Sequence, residues 1–337
     1  MAVSPINLII LSVTVALSAY LGPIIFPALI HHLAPTTNTY LSALLSNLTG
    51  TLLLSPDRVG GGFSVESKSE SSLSGPGHCN PTLLDNHTYT FQIISHDPLL
   101  VYIQNFVTDR EAQRIIEIGT PLLRPSPLTG DGARPEARTS SSAPLPDDEE
   151  AVGCVMRRAE KVLGGLMRRG GDGMRGVGQM VSYGDGEKFD LHTDWFSRPK
   201  ITDEDLESGR RRMYNRLATF FVVLEAEGIE DKSGETWFPF IDAPGDTDAS
   251  SAGGDSEGGD DDDDEGSRDG ERLWRKHEDG GVAIKPIPGN AIFWVNLFLG
   301  NGTGDRRVVH AGLPVRGQGA KKKAMNIWPR VFFGPDA

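Results

Sequence analysis

The pattern of apolar and polar residues divides the chain into three regions. Residues Ile6–Ile30 are apolar without a single charged side chain, and their number suits a membrane span. Residues 35–78 are rich in Ser, Gly, Thr and Leu but show no regular period. We therefore interpret 35–88 as a stem or linker. Ordered structure is expected from about Thr88, and the folded domain is placed at 89–334.

Three interpretations of residues 1–34 differ in what happens to the apolar run. A cleaved signal peptide is one, because Ala16-Leu17-Ser18 places small residues near a possible cut. A buried core helix is another, although it would be apolar on every side. The run continues well past Ser18, which favours an uncleaved anchor, and Pro23 and Pro27 do not prevent insertion.

Two helices are predicted in the first part of the folded region. Thr108 can cap a helix that Asp109 opens, with Glu111 as its capping-box partner. A second helix is predicted over Pro146–Leu166, since acids cluster at its start and basic residues towards its end.

Short runs rich in β-forming residues dominate the rest of the chain. Such runs, divided by Gly and Pro, are typical of a β-sandwich or barrel. We expect an α+β, mainly β fold: a double-stranded β-helix, or jelly roll, with helices before it and an N-terminal transmembrane helix. The predicted strands are Tyr89–Ile94, Leu99–Phe106, Gln179–Tyr183, Lys188–Asp194, Leu217–Leu224, Val282–Ile284, Ala291–Leu297, Arg307–His310 and Lys322–Phe333.

The net charge of −13 comes mostly from one low-complexity segment. Between Ala243 and Gly270 the chain has eleven acidic residues and one basic residue, so this stretch supplies −10 of the total. The remainder is close to neutral, which gives no electrostatic argument for nucleic-acid binding. We predict that residues 243–272 are a disordered, solvated insert, with calcium buffering or partner binding as the weaker alternatives.

Cysteines and glycosylation signals bear on the compartment. The two cysteines, Cys79 and Cys154, exclude a zinc site built from four cysteines, and they are either one disulfide or two separate thiols. The signals are Asn47-Leu48-Thr49, Asn86-His87-Thr88 and Asn301-Gly302-Thr303. Together with the anchor, they favour the endoplasmic reticulum membrane with the folded domain in the lumen; secretion is the alternative.

Three side chains form a candidate metal site. His192 and Asp194 alternate along a predicted strand, so both face the same side. His310 ends another predicted strand, and antiparallel pairing can bring it across to them. Two histidines and one carboxylate occupy one face of an octahedron and leave positions for substrate and oxygen, as in non-haem iron(II) oxygenases.

The motifs around these residues resemble prolyl 4-hydroxylase catalytic domains over roughly residues 89–334. Each motif is short, but their collinear order is specific. They are Tyr183-Gly184-Asp185-Gly186-Glu187-Lys188-Phe189, Arg216-Leu217-Ala218-Thr219, Gly234-Glu235-Thr236-Trp237-Phe238-Pro239, Pro288-Gly289-Asn290-Ala291-Ile292-Phe293, His310-Ala311-Gly312-Leu313-Pro314-Val315 and Asn326-Ile327-Trp328-Pro329-Arg330.

The resemblance implies an iron(II)- and 2-oxoglutarate-dependent dioxygenase that uses O2 and ascorbate. It assigns His192, Asp194 and His310 to iron(II), and Lys322 and Tyr183 to the distal carboxylate of 2-oxoglutarate. It also implies that Thr219 lines the co-substrate pocket, that Trp328 packs beside the co-substrate and that Arg216 lies near the peptide substrate. Each of these last three also has an ordinary structural interpretation, as core or surface residues of strands.

The position of the lysine departs from the family pattern. The family usually has this lysine ten residues after the second histidine, where this chain has Ala320. Counting back from Trp328 selects Lys322, which implies two extra residues in the Arg316–Ala320 turn. Strand alternation then turns Lys322 to the same side as Trp328, and Lys321 and Lys323 away.

Peptidyl proline is the substrate that the resemblance favours, as in procollagen-proline 4-dioxygenases. The anchor and lumenal signals agree with a polypeptide substrate in the same compartment. Two alternatives are a 2-oxoglutarate oxygenase of a small metabolite and a jelly-roll module that binds metal or another ligand without turnover. The sequence does not identify a partner subunit.

Overall fold

The computed structural model describes residues 63–65, 87–127, 135–163, 178–244, 272–298 and 301–337. The predicted anchor, most of the stem, Cys79, the signals at Asn47 and Asn86 and nearly all of the acidic insert lie outside these residues. Within them, no helix is both long enough and apolar enough to cross a membrane.

The larger sheet is antiparallel, and in the described residues it contains nine strands in the order β1-β2-β3-β13-β9-β15-β6-β5-β4. Its strands are β1 (Phe63–Val65), β2 (Tyr89–His96), β3 (Leu99–Gln104), β4 (Arg124–Pro125), β5 (Ser141–Pro144), β6 (Gly178–Gly184), β9 (Ala218–Glu227), β13 (Ala291–Val295) and β15 (Lys321–Ile327).

A smaller antiparallel sheet faces the larger one, with the strand order β11-β12-β10-β14-β7 among the described residues. Its strands are β7 (Phe189–His192), β10 (Thr236–Phe238), β11 (Trp274–Lys276), β12 (Val282–Ile284) and β14 (His310–Gly312). A separate ribbon pairs β8 (Met213–Arg216) with β16 (Arg330–Phe333).

Alternating side chains of the larger sheet serve two apolar cores. In β9, Phe221 and Val223 pack between the two sheets against residues such as Phe238. Their neighbours Phe220 and Val222 face the opposite side. Because successive strand residues point to opposite faces, this one apolar run is buried on both sides. The chain is therefore mainly β with two facing antiparallel sheets, as predicted and as a jelly roll requires.

Two helices cover the outer face of the larger sheet. These are α1 (Asp109–Gly119) and α2 (Glu150–Leu163), which contribute Ile115 and Val155 to the core on that face. The predicted capping box is present, since Thr108 accepts from the backbone of Glu111 and Glu111 accepts in return. A short third helix, α3 (Asp203–Ser208), lies between β7 and β8.

Three predicted boundaries were wrong. The second helix starts at Glu150 and not at Pro146. The predicted strand over Arg307–His310 is a 3-10 turn, Arg306–Val308, followed by β14. The predicted strand Lys322–Phe333 is interrupted after Ile327, because Pro329 has no backbone N–H for the ladder, and it continues as β16 in a different sheet.

Cys154 is fully buried in α2 and disulfide-bonded. The alternative of two separate thiols is therefore wrong for this cysteine.

A buried ion pair joins the two helices. Arg158 of α2 donates to both carboxylate oxygens of Glu111 in α1, at 3.1 and 2.8 Å, and also to the backbone oxygen of Phe106 at 2.8 Å. Their side chains are only 3% and 6% exposed. Glu111 is at the same time the capping-box residue of α1, so one carboxylate satisfies both the helix end and the arginine.

Replacing Arg158 with Ala should strongly destabilise the fold. The change leaves the Glu111 carboxylate buried without its cation, which typically costs about 3–5 kcal/mol. Urea unfolding measures the loss. Arg114→Ala is the matched control, because Arg114 pairs with Glu117 on the surface, with side chains 54% and 53% exposed. Equal effects of the two substitutions would contradict this account of the helix pair.

Candidate active site

The three candidate metal ligands converge at the edge of the smaller sheet. β14 pairs with β7 so that His310 lies directly opposite His192. Asp194 follows the end of β7, and its Oδ1 lies 3.8 Å from His192 Nε2 while its Oδ2 lies 3.9 Å from His310 Nε2. One ligand atom from each of the three residues falls within 4.8 Å of the others. The antiparallel pairing expected for His310 is therefore present.

Backbone carbonyls orient both imidazoles. His192 Nδ1 lies 2.8 Å from the oxygen of Asp190, and His310 Nδ1 lies 3.0 Å from that of Val308. A carbonyl can only accept, so each Nδ1 carries the proton and each Nε2 lone pair faces Asp194. Burial, and then the neighbouring His310, lower the pKa of His192, which keeps its ring neutral and suited to bind metal.

Two donors from the larger sheet hold the carboxylate of Asp194. Thr219 Oγ1 donates to Oδ2 at 2.8 Å, and Trp328 Nε1 donates to the same oxygen at 3.0 Å. Burial would raise the pKa of Asp194, but His310, His192 and Arg216 outweigh it, so the net pKa is lowered. The group is thus an ionised carboxylate with one oxygen fixed by the protein and the other oriented towards His192.

Asn296 completes a chain of hydrogen bonds behind the carboxylate. Its Nδ2 donates at 2.9 Å to Thr219 Oγ1, whose own proton goes to Asp194. Asn296 Oδ1 and Trp294 Nε1 are buried and have no hydrogen-bond partner among the described residues. Unpaired polar atoms this deep are expensive unless a bound group or water satisfies them. The donor set and these two atoms fit a metal with an oxygen-bearing ligand.

Aromatic rings surround the histidines. The ring of Phe189 stacks on His192 with 3.5 Å between the ring centroids, and the guanidinium of Arg138 lies 4.4 Å from the centroid of the Phe189 ring. Trp294 and Phe238 pack against His310, at 4.7 and 5.4 Å between ring centroids. Sequence reasoning missed Arg138 and Asn296. Asn296 had one available signal, a polar residue closing an apolar run, whereas Arg138 lies in a loop without any pattern.

Lys322 is placed as the register argument predicted. It is 1% exposed and its Nζ donates at 2.6 Å to the carbonyl of Gly234. Its cross-strand partner is Tyr183, and the amine lies 5.6 Å from that ring and 5.0 Å from the ring of Phe221. Lys321 is exposed and Lys323 pairs with Glu225 on the other face.

Burial strongly shifts the pKa values of the Lys322 amine and the Tyr183 hydroxyl. It lowers the pKa of Lys322 to about 7, with Glu235 opposing the shift. It raises the pKa of Tyr183 to about 12, so the phenol stays protonated. In the described residues the amine has a carbonyl as its only hydrogen-bond partner, and Glu235 is itself held by Arg275 at 2.6 Å. An anionic ligand here would restore the full charge on the lysine.

The other three predicted site residues lie on the metal side of the pocket. Thr219 and Trp328 contact Asp194, as described above. Arg216 stacks on Trp328 with its guanidinium 3.6 Å from the ring centroid, and its Nη1 donates to the backbone oxygen of Asp194 at 3.2 Å. All three therefore contact Asp194 in this structure, Thr219 and Trp328 at its carboxylate and Arg216 at its backbone, and the co-substrate and substrate contacts expected of them remain predictions.

A second group that contains metal-ligand atoms is formed by His277, Glu278 and Asp279. His277 Nδ1 accepts from the backbone N–H of Asp279 at 3.1 Å, and both acids are exposed. Because this nitrogen is already used and the carboxylates are solvated, the His192 group has the better donor set.

Comparison with known proteins agrees with this geometry. Residues 178–330 match the family described as the 2OG-Fe(II) oxygenase superfamily. Prolyl 4-hydroxylase 13 of Arabidopsis thaliana is 27% identical over 227 residues, covering 67% of this chain and 69% of the relative. Prolyl 4-hydroxylase subunit alpha-2 of Gallus gallus is 26% identical over 222 residues, which is 65% of this chain but only 32% of that subunit.

Among solved structures, the viral collagen prolyl hydroxylase of Paramecium Bursaria Chlorella virus-1, in its 2OG complex, aligns with a TM-score of 0.44 and 20% identity. The alignment covers 69% of this chain and 96% of the viral one. The matched family implies iron(II), 2-oxoglutarate and O2, and the matched segment contains all three candidate metal ligands. Residues 178–330 therefore match the 2OG-Fe(II) oxygenase superfamily, and the chain is similar to the prolyl 4-hydroxylases.

Proposed function

We propose that the chain hydroxylates peptidyl proline, using iron(II), 2-oxoglutarate and O2. The observation that carries the proposal is the convergence of His192, Asp194 and His310 on one point, with a buried lysine on the larger sheet facing the same interior. A facial set of two histidines and one carboxylate is the arrangement of non-haem iron(II) oxygenases. Relatives such as prolyl 4-hydroxylase 13 of Arabidopsis thaliana are named for the hydroxylation of proline, which supports proline as the substrate.

The reaction consumes one molecule of each reactant. When bound, iron(II) and 2-oxoglutarate supply the oxidising chemistry: one atom of O2 enters the succinate formed with loss of CO2, and the other enters the C–H bond of the substrate. The protein holds the geometry and excludes water. His192, Asp194 and His310 would bind the iron. In the interior between the two sheets, Asn296 Oδ1 and Trp294 Nε1 have no hydrogen-bond partner among the described residues.

The co-substrate would be held at both ends. The distal carboxylate would pair with Lys322 and accept from the hydroxyl of Tyr183, since these two groups are cross-strand neighbours in a buried place. Thr219 and Trp328 would border the pocket on the metal side, where they orient Asp194. Ascorbate would serve to return the iron to its reduced form.

A peptide substrate would enter beside the exposed side of the metal group. His192 is the least buried of the three ligands, with a side chain 19% exposed, against 7% for Asp194 and 6% for His310. Arg216 is half-buried, stacks on Trp328 and donates to the backbone of Asp194. We propose that Arg216 contacts the peptide at this position. We propose that the catalytic domain lies in the lumen of the endoplasmic reticulum, because Cys154 is disulfide-bonded and disulfides form and persist mainly in oxidising compartments.

The test is hydroxylation of a proline-rich peptide by the purified chain. With iron(II), 2-oxoglutarate and ascorbate, we expect succinate release that rises when the peptide is added, and a peptide mass increase of one oxygen located on proline. Succinate release without any peptide modification would contradict proline as the substrate and favour a small-molecule oxygenase.

Variants of the metal group provide the control. His192→Ala, Asp194→Ala and His310→Ala should each abolish succinate release and bound iron, since each removes one of three ligands. Asp190→Ala should leave both unchanged, because the Asp190 side chain is exposed and only its backbone oxygen contacts His192. Substantial turnover in any of the three at saturating iron would remove that residue from the ligand set.

Lys322→Ala should raise the KM for 2-oxoglutarate by about one to two orders of magnitude, the usual cost of losing a buried charge-assisted hydrogen bond. Lys321→Ala and Lys323→Ala are matched controls on the adjacent positions and should change the KM little, because neither amine enters the interior. A large effect at either control, with little at Lys322, would move the binding site to the other face of β15.

Binding of 2-oxoglutarate should weaken as the pH rises above neutrality. Below pH 7 the Lys322 amine is already charged in the free protein. Above its pKa of about 7 the amine is mostly neutral, and it must take up a proton when the dicarboxylate binds. The dissociation constant should therefore increase towards tenfold per pH unit above 7, until the higher pKa of the complex is reached. Anaerobic calorimetry with iron(II) bound measures it.

Lys322→Arg is the control for this pH dependence, since a guanidinium stays protonated throughout the range. It should flatten the pH profile even if it weakens binding at every pH. The other groups around the amine are Tyr183, protonated in this range, and Glu235, which is paired with Arg275. A profile that is unchanged in the arginine variant would show that another group titrates.

A further inference from the structure

A turn outside the metal centre contains an exposed asparagine three residues after an exposed aromatic ring. Asn301 and Thr303 are exposed, and the ring of Phe298, three residues before Asn301, is 43% exposed. Gly304 follows the turn and packs against the ring of Trp195, the residue after Asp194. The turn therefore belongs to the same corner of the molecule as the metal group but takes no part in it.

The asparagine is held in one orientation by the threonine two residues later. Asn301 Oδ1 accepts from the backbone N–H of Thr303 at 2.9 Å and from its hydroxyl at 2.6 Å. Asn301 Nδ2 makes no hydrogen bond within the described residues. The carboxamide oxygen thus faces the turn and the nitrogen faces away from it.

Phe298 lies directly across the turn from Thr303. Its N–H donates at 2.8 Å to the carbonyl of Thr303, and its own carbonyl accepts from Gly302 at 2.8 Å. Residues opposite each other in a hairpin project their side chains to the same side, with Cβ atoms about 4.5–5.5 Å apart. The ring of Phe298 is therefore beside Thr303, and the guanidinium of Arg307 lies 5.3 Å from the ring centroid.

The underside of the turn is already packed. A Cβ on Gly302, whose φ is +67°, would come within 2.6 Å of the ring of Phe333. The side of the turn at Gly302 is therefore closed by the Phe333 ring, whereas Asn301, Thr303 and Phe298 are exposed.

We propose that Asn301 is an N-glycosylation site whose first N-acetylglucosamine packs on the ring of Phe298. The proposal rests on the lumenal location proposed above. Single exposed apolar residues are common and need no explanation. Here, however, the exposed ring stands across the turn from the threonine of the signal, whose hydroxyl and N–H hold the asparagine side chain. A pyranose ring has an apolar C–H face, and aromatic faces take such partners by dispersion and by their negative quadrupole.

The modification is a transfer from a lipid-pyrophosphate-linked oligosaccharide, supplied by the secretory pathway. Asn301 Nδ2 forms a bond to C1 of the first sugar and loses one proton. The bond from C1 to the pyrophosphate oxygen breaks, and the lipid pyrophosphate leaves. The other two signals, at Asn47 and Asn86, lie outside the described residues.

Occupancy is tested on the full chain produced in human cells, with Asn47→Gln and Asn86→Gln present so that one signal remains. A second form carries a cleavable signal peptide in place of residues 1–34, so that residues 35–337 enter the secretory pathway and are secreted whatever residues 1–34 do. We expect intact mass and glycosidase digestion to show one N-glycan in both forms. Thr303→Val and Asn301→Gln should abolish it, and Thr303→Ser should keep it at lower occupancy.

The two forms separate failure of the location from failure of the site. A glycan on the signal-peptide form alone would refute the lumenal location and leave the site standing. An unmodified Asn301 in the signal-peptide form, once the chain is secreted, would overturn the proposal. Proline hydroxylation is measured separately and is not needed for either result.

Stacking on Phe298 is tested by thermal unfolding after trimming the glycan to its first sugar. The trimmed chain should melt about 2–4 °C above the Asn301→Gln chain, a shift of the size expected for one modest contact in a domain of this size. Phe298→Ala should remove this difference. Phe240→Ala should preserve it, because Phe240 is also exposed, at 64%, but lies after β10. Equal differences in both variants would overturn the stacking.

Discussion

The site depends on one carboxylate that connects the two sheets. Both histidines come from the smaller sheet, where β7 and β14 pair directly. The donors that fix Asp194 come from the larger one, Thr219 from β9 and Trp328 from the end of β15. The position of the third metal ligand relative to the first two is therefore set by how the sheets pack. A carboxylate without these donors would be free to rotate, and the ligand set would no longer have a fixed geometry.

The core between the sheets has a second effect, on charge. Phe221 and Val223 exclude water from the interior that Lys322 enters, so the amine is poorly solvated and its pKa falls to about 7. The same desolvation leaves Trp294 Nε1 and Asn296 Oδ1 without partners in the described residues. An oxygen of a bound ligand can accept from Trp294 Nε1, and a bound water or hydroxyl can donate to Asn296 Oδ1, so binding here recovers interactions that folding gave up. This links the apolar core to co-substrate affinity.

The sequence predicted that His192, Asp194 and His310 converge and that Lys322 points inward, and the structure has both arrangements. Strand alternation accounts for Lys322 within β15, whereas Asp194 lies beyond the end of β7 and His310 follows a 3-10 turn. Sequence reasoning could not supply the contacts of Thr219, Trp328 and Asn296 with one another, since these come from three strands that only tertiary structure brings together. The ends of the strands were predicted least well. The alternating pattern continues through Trp328 and Pro329, but the hydrogen bonds of β15 end at Ile327, just before Pro329, which has no backbone N–H.

Strand order in the smaller sheet explains why a long acidic insert is compatible with the site. The insert lies between β10 and β11 along the chain, and β11 is one edge of that sheet. β7, which carries His192, is the opposite edge, with β12, β10 and β14 between them. A connection that reaches the far edge can lengthen without changing the pairing of β7 with β14, and loop-closure entropy grows only slowly with length. The connection runs from β10 away to the β11 edge, whereas the metal ligands lie on the other side of β10, on β14 and at the end of β7, so their pairing need not change with its length.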